Sequence, residues 1–164
     1  MSKISDPHTI ELCKEGLSLL PIGSTLPSHV IPDLCGIDNS TFDGNIEQFL
    51  VSESHHDHNQ PYFNKKLKEG KYSIGGLTVK SILVGYSEFA MVKTVIVRLR
   101  NYDFISTKLM LDSVYGEVKD MYINHKSHQQ VCVWSCPRFD VVFCGLSGLI
   151  KFYYTSSSVE MKSA

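Results

Sequence analysis

Hydrophobic positions near the start of the chain recur at the spacing of an amphipathic helix. They are separated by three, four and three positions and would share one helical face: Ile10, Cys13, Leu17 and Leu20. The preceding Ser5-Asp6-Pro7 combines a capping side chain with a proline, which suits the first turn of a helix. The pattern therefore predicts an N-terminal helical segment.

The stretch from residue 52 to residue 71 is the most polar part of the chain, with the sequence SESHHDHNQPYFNKKLKEGK. Loops of this length inside a compact domain are uncommon and often functional. We predict a long exposed loop here, with a helical turn around residues 63–67.

Beyond residue 72, apolar and polar residues alternate as they do in strands with one buried face. The alternation predicts strands at 77–86, 89–100, 131–136, 139–144 and 149–155. Between the second and third, Asn101 or Asp103 would cap a helix that ends near Tyr115-Gly116. The order ββαβββ with short turns predicts an antiparallel meander with one helix packed on a face. The predicted fold class is α+β, with an N-terminal helical segment followed by this antiparallel sheet.

The chain length of 164 residues and the 43% hydrophobic content predict a single domain, 1–164, with its own core. Residues 1–60 would form an acidic helical or irregular half, and residues 72–155 the sheet-and-helix half. Residues 1–60 hold two lysines and nine acidic residues, a net charge of −7, whereas residues 61–164 carry a net +6. This asymmetry favours a basic partner for the first half, unless the two halves pack together and neutralise each other.

The expected location is cytoplasmic, with no membrane partner. The N-terminus lacks the apolar core and cleavage site of a secretory signal, and no apolar run has the length of a membrane span. The five cysteines are odd in number and scattered, which is typical of reduced thiols rather than a disulfide framework.

The segment Ser54-His55-His56-Asp57-His58 is the most suggestive cluster for chemistry. In an extended loop, His56 and His58 would point the same way and could share a metal. No HExxH motif, CxxC pair or second nearby histidine pair completes such a site. We therefore favour a solvated polar loop without metal or cofactor, and keep a metal-dependent enzyme using the His55–His58 loop as an alternative.

Other catalytic arrangements are missing from the sequence. Cys132 and Cys136 lie in apolar surroundings, which raise a thiol pKa and favour buried structural cysteines. No GxSxG elbow, phosphate-binding loop or credible carboxylate pair occurs. The basic run at residues 64–71 stands in a chain with a pI near 6.6, so we expect no nucleic-acid partner. The chain is predicted not to be an enzyme.

The core residues of the second half follow a recurring bacterial pattern: Val95-x-Val97-x-Leu99, Phe104, Leu111, Tyr115-Gly116, Trp134 and the closing segment 148–154. A strand feeds a helix ending in Tyr-Gly, a tryptophan-bearing strand follows, and the last strand begins near glycine. Residues 20–30 are similar to a helix-turn segment that precedes such sheets. The pattern resembles small lipoproteins, beta-lactamase-inhibitor-like repeats and immunity proteins that neutralise secreted polymorphic toxins. Because the chain lacks a lipobox cysteine, the immunity proteins are the favoured branch.

The resemblance implies a mechanism rather than a set of catalytic residues. A small cytosolic immunity protein is a protein-binding inhibitor that neutralises its cognate toxin by forming a tight complex that blocks the active site. An acidic inhibitor surface would suit a toxin with a basic active-site surface. The expected contact residues are six acids and one aromatic anchor: Asp33, Asp38, Asp43, Glu47, Glu53, Asp57 and Tyr62. An adaptor or chaperone for a secreted protein is a further alternative.

Overall fold

The computed structural model describes residues 8–35, 63–67, 72–87, 90–125 and 128–155. Within these ranges 50% of the residues lie in strands and 13% in helices. The α-helix described here is α1, Phe104–Tyr115, and a 3-10 turn spans Ile31–Asp33. The described strands are β1 His8–Ile10, β2 Leu12–Cys13, β3 Gly16–Leu17, β4 Leu34–Cys35, β5 Phe63–Leu67, β6 Tyr72–Ile74, β7 Leu77–Tyr86, β8 Val92–Leu99, β9 Asp120–Ile123, β10 Gln130–Ser135, β11 Phe139–Cys144 and β12 Leu149–Tyr154.

One large sheet runs in the order β1-β6-β7-β8-β12-β11-β10-β9, with β5 also paired to β7 and β4 to β5. The pairings are antiparallel except for β1 with β6, which is parallel. Strands β9 to β12 form a meander, and its last strand pairs with β8. In that pairing Val97 lies opposite Ile150, and Val95 opposite Phe152. A short separate hairpin joins β2 and β3.

Helix α1 begins and ends where the sequence indicates. Asp103 is the N-cap, and its carboxylate accepts a hydrogen bond from the Ser106 amide at 2.9 Å. Gly116 is the C-cap, and its amide donates to the carbonyl of Asp112. Among the described residues, no helix has the length and apolarity needed to cross a membrane.

The helix packs on one face of the sheet through aromatic side chains. Phe104 stacks on Phe143 of β11 with ring centroids 5.5 Å apart. At the other end, Tyr115 makes an edge contact with Phe139 at 6.0 Å. Between them Leu111 is fully buried. The helix is thereby fixed along β11 at both ends.

The central strands β8, β12 and β11 are buried on both faces. The face under α1 carries the larger core, which includes Val97, Ile150 and Trp134. The opposite face carries a second cluster around Ile96 and Val142. Lys151 lies directly opposite both, 1% exposed, with its ammonium 5.1 Å from the Tyr153 ring centroid. A cation held over an aromatic face in this way keeps part of the stabilisation that water would give it.

The predicted N-terminal helical segment is wrong, and the fold is mostly antiparallel β-sheet rather than α+β as predicted. Residues 8–10 pair with β6, and the chain then forms the β2–β3 hairpin. Gly16 has φ +112°, a conformation that a helix excludes and that glycine tolerates. A Cβ there would also lie 2.7 Å from Ile22. Tertiary pairing therefore overrides the helical spacing of the apolar residues.

The burial implied by that spacing is nevertheless largely present. Ile10, Leu17 and Leu20 are at most 2% exposed and belong to the core under α1. The hydroxyl of Tyr115 donates to the carbonyl of Gly16 at 2.6 Å, which ties the hairpin to the end of the helix. The apolar residues are thus buried by an extended chain instead of by a helix face.

In the second half the predicted strands and helix are confirmed, with β7 and β11 matching the predicted bounds. Three elements differ, and one of them is β6, Tyr72–Ile74, a strand that the alternation does not predict. The helical turn expected at residues 63–67 is strand β5, paired with β4 and β7. Strand β9 was not predicted, because all four of its residues are exposed and give no alternating burial signal. The expected meander holds for β9–β12, but β8 pairs with the last of these strands.

We expect Leu111→Ala to lower the free energy of unfolding by about 2–5 kcal/mol, because it empties a fully buried site between α1 and the sheet. Chemical denaturation followed by circular dichroism would measure the change. The matched control is Leu109→Ala on the same helix, where the side chain is 60% exposed and the change should stay within about 0.5 kcal/mol. Equal losses in the two variants would contradict the helix orientation.

Candidate functional site

Strand β9 is the last strand in the described order of the sheet. Three consecutive large residues are exposed on it: Met121 by 43%, Tyr122 by 42% and Ile123 by 62%. Exposed apolar side chains on an edge strand are a liability that proteins usually avoid, unless a partner covers them. This edge is therefore the first candidate for a binding surface.

The register places two of these residues on the same face as α1. Met121 lies opposite Cys132, whose side chain belongs to the core under the helix, and Ile123 lies opposite Gln130 two positions along. Directly opposed residues in an antiparallel pair project to the same face. Tyr122, opposite Val131, projects to the other face.

Helix α1 presents apolar side chains on the flank nearest to this strand. Ile105, Leu109 and Asp112 follow the i, i+4, i+7 spacing of one helical stripe. Asp112 accepts a hydrogen bond from Trp134 of β10 at 2.9 Å, so the stripe lies on the β10 side of the helix. Ile105 is 66% exposed and Leu109 60%. Since β10 is the neighbour of β9, we define these four residues as the β9–α1 surface: Ile105, Leu109, Met121 and Ile123.

A small polar network joins helix α1 to strand β10. The Asp112 carboxylate accepts from Trp134 through one oxygen and from the Lys108 ammonium, also at 2.9 Å, through the other. Burial disfavours the ionised carboxyl, but the hydrogen bonds from Lys108 and Trp134 outweigh it and lower the pKa of Asp112. The charged form of Asp112 is therefore the one that fits the folded protein.

A second surface feature is a cleft of about 470 Å³ at the end of the sheet where β8 finishes. Its lining comes from the β7 bulge, the end of β8, the turn into α1 and the β11–β12 loop: Lys80, Arg98, Leu99, Arg100, Asn101, Tyr102, Leu146 and Ser147. Lys80 stands at the register shift between Val79 and Ser81, the extra residue of a bulge. None of these lining residues is acidic, so the cleft is basic.

The wall of the cleft is held by specific contacts. The Tyr102 hydroxyl donates to the Gly145 and Leu146 carbonyls at 2.5 and 2.8 Å. The Tyr102 ring packs on Gly148, where a Cβ would lie 2.6 Å from it and where φ is +71°. On the other side, the Gln129 amide oxygen accepts from the Leu146 and Ser147 amides and from the Ser147 hydroxyl. The β11–β12 loop is therefore fixed before any ligand binds.

Of the predicted contact residues, the described ranges contain Asp33, which belongs to neither of these two surfaces. Asp33 ends the 3-10 turn. The other predicted residues lie outside the described residues: Asp38, Asp43, Glu47, Glu53, Asp57 and Tyr62. The His55–His58 loop lies outside them as well. In the ranges that the structure describes, no group of three His, Cys, Asp or Glu side chains could hold a metal ion.

The described cysteines are not arranged as nucleophiles. Cys132 and Cys144 are buried, and Cys13 and Cys136 are half-buried, all as free thiols. Burial raises the pKa of Cys132, although nearby Lys108 acts in the opposite direction. Burial likewise raises the pKa of Cys136. The expected structural role of these two cysteines is consistent with their positions.

The β9–α1 surface was missed by the sequence reasoning, although a signal exists. Met121-Tyr122-Ile123 is an apolar triplet inside the otherwise polar stretch 119–130. Such a triplet is too short to predict a buried strand, and only the sheet order shows that it lies at an edge. Ile105 and Leu109 are apolar residues of the predicted helix, and only their exposure in the structure shows that they do not face the core.

No protein-family model matches this sequence, and no curated protein matches it. Among solved structures, the chain is similar to a DUF4309 family protein, YjgB, from Bacillus subtilis. The superposition has a TM-score of 0.36 at 8% sequence identity and covers 52% of this chain and 64% of that one. The chain thus spans less than two thirds of that protein, and the likeness is too distant to transfer a fold or a function.

We expect Asp112→Asn to destabilise the protein by about 1 kcal/mol at neutral pH, because the charge-assisted hydrogen bond to Lys108 is lost. The folded-state pKa of Asp112 lies below its unfolded value, so this stabilisation is present above the unfolded pKa and is lost as the pH falls through the folded pKa. Urea unfolding at pH 7 and at pH 3 would measure the loss of stability and its dependence on pH.

The difference in the free energy of unfolding between the wild type and Asp112→Asn should therefore be smaller at pH 3 than at pH 7. Asp112→Ala, which also removes the acceptor for Trp134, should cost more than Asp112→Asn at both pH values. If the difference in the free energy of unfolding between the wild type and Asp112→Asn stays constant or increases on acidification, the charge on Asp112 is not what stabilises the helix.

Proposed function

We propose that this protein acts by binding another protein, and that it inhibits a cognate toxin by covering its active site. The observation that carries the binding part is the β9–α1 surface, whose four large apolar side chains are 43–66% exposed. Apolar groups of this size gain free energy when a partner removes them from water, at roughly 25 cal/mol per Å². The cores of protein–protein interfaces are depleted of charged residues, and the four residues of this surface are likewise uncharged.

The position of this surface favours a particular mode of binding. A partner strand that adds to the edge of β9 gains main-chain hydrogen bonds, and side chains at alternate positions supply specificity. Met121 and Ile123 project to the helix side of the sheet, where Ile105 and Leu109 continue the apolar area. The partner would thus contact a strand edge and a helix flank together.

The toxin as partner rests on the core pattern shared with immunity proteins. An immunity protein works in the cytoplasm, where it meets a toxin that has entered or is made there. The acidic residues of the first sixty positions would favour a toxin with a basic active-site surface, since complementary charge speeds encounter and fixes orientation. The adaptor alternative would use the same apolar surface without blocking catalysis, so a growth assay separates the two.

The test is to purify the protein with its bound partner from the native cell, identify the partner and measure the dissociation constant with purified components. We expect Ile123→Asp and Leu109→Asp each to weaken binding by about thirty-fold or more, because each places a charge in an apolar interface. In cells that express the partner toxin, the wild-type chain should restore growth, whereas the double variant should not.

The matched control is Ile31→Asp, another exposed isoleucine, 51% accessible, in the 3-10 turn beside Asp33. It should retain binding. Loss of binding in Ile31→Asp alone would move the interface to the acidic segment and contradict the β9–α1 surface. A partner that binds at β9–α1 without toxicity, and whose export changes instead, would contradict toxin inhibition and support the adaptor.

A further inference from the structure

The basic cleft at the end of β8 is separate from the β9–α1 surface. We propose that it binds a small molecule carrying a phosphate group. The cations that carry the proposal are Lys80 and Arg100, whose side chains are exposed, and the half-buried Arg98 adds a third positive charge to the lining. Among the residues that the structure describes, no carboxylate belongs to the lining of the cleft.

The acidic residue nearest in sequence is already engaged elsewhere. Asp103 follows Tyr102 directly, but its carboxylate accepts the hydrogen bond of the Ser106 amide and caps α1. This hydrogen bond lowers the pKa of Asp103, which keeps it as the anion that suits a helix N-terminus. The Asp103 carboxylate is thus committed to the helix cap and does not belong to the lining of the cleft.

The chemistry of the lining favours phosphate over a single carboxylate. A phosphate group carries close to two negative charges at neutral pH and offers several acceptor oxygens. Arg100 can donate through two N–H groups at once, and Lys80 adds a compact point charge. The Asn101 side chain is the remaining amide donor in the lining. A monovalent carboxylate would leave much of this positive charge without a counterpart.

The size of the cleft indicates a ligand larger than inorganic phosphate. At about 470 Å³ it falls in the usual range for small-molecule sites, which is roughly 300–1,000 Å³. Tyr102 and the exposed Leu146 give one side of it an apolar character. The contacts of Tyr102 and Gln129 fix that side, so little ordering of the loop is required on binding. We therefore expect a phosphorylated small molecule with its phosphate at the cationic side.

The experiment is calorimetric titration of the purified full-length chain with pyrophosphate, inorganic phosphate and citrate at one low salt concentration. We expect pyrophosphate to bind with a stoichiometry of one, and more tightly than either inorganic phosphate, which carries less charge, or citrate, which carries its charge on carboxylates. Arg100→Gln and Lys80→Gln should each reduce the affinity for pyrophosphate by about tenfold, as for loss of one charge-assisted hydrogen bond.

The matched control is Arg138→Gln, which removes an equal charge from an exposed residue in the β10–β11 turn at the other end of these strands. Its affinity for pyrophosphate should equal that of the wild type. Circular dichroism melting would show that each variant is folded. Absence of saturable pyrophosphate binding, citrate binding as tight as pyrophosphate, or an equal loss in Arg138→Gln would each overturn the proposal.

Discussion

The antiparallel pairing of β12 with β8 joins the two parts of the sheet, and the core under α1 depends on it. The pairing brings together residues about fifty positions apart, with Phe152 opposite Val95 and Ile150 opposite Val97. All four side chains are fully buried. Without this pairing, β9–β12 would be a separate meander under α1 and β7–β8 a separate hairpin, and Val95 and Val97 would lose Phe152 and Ile150 as neighbours. The entropy of closing this long connection is offset by burial on both faces of the sheet.

The same pairing decides which strand lies at the edge. Because the last strand of the meander inserts beside β8, the first strand of the meander, β9, is left at the end of the described order. A meander paired to β8 through β9 would instead have buried Met121 and Ile123 and exposed β12. The apolar triplet of β9 is thus exposed as a consequence of topology, and this exposure is the ground for proposing a partner at this edge.

Local signals in the sequence predicted the second half well and the first half poorly. The caps Asp103 and Gly116 and the alternation in β7 and β11 are properties of neighbouring residues, so they can be recognised without the fold. The helical spacing from Ile10 to Leu20 was equally regular, but parallel pairing of β1 with β6 and the backbone of Gly16 exclude a helix there. Spacing predicted which of these residues are buried and not the conformation that buries them.

The β9–α1 surface and the basic cleft could not be predicted for a related reason: each gathers residues that are distant in the chain. The cleft joins Lys80, residues 98–102 and the β11–β12 loop, and the Leu99 amide donates to the Gly148 carbonyl across the β8–β12 seam. From β8 to β9 there are four strand spacings, roughly 19 Å. Along α1 the two surfaces are closer, because Tyr102 of the cleft and Ile105 of the β9–α1 surface are three residues apart. Since the Debye length at physiological salt is about 8 Å, the cations of the cleft act mainly on a partner that covers the start of α1 and little on one confined to the edge of β9.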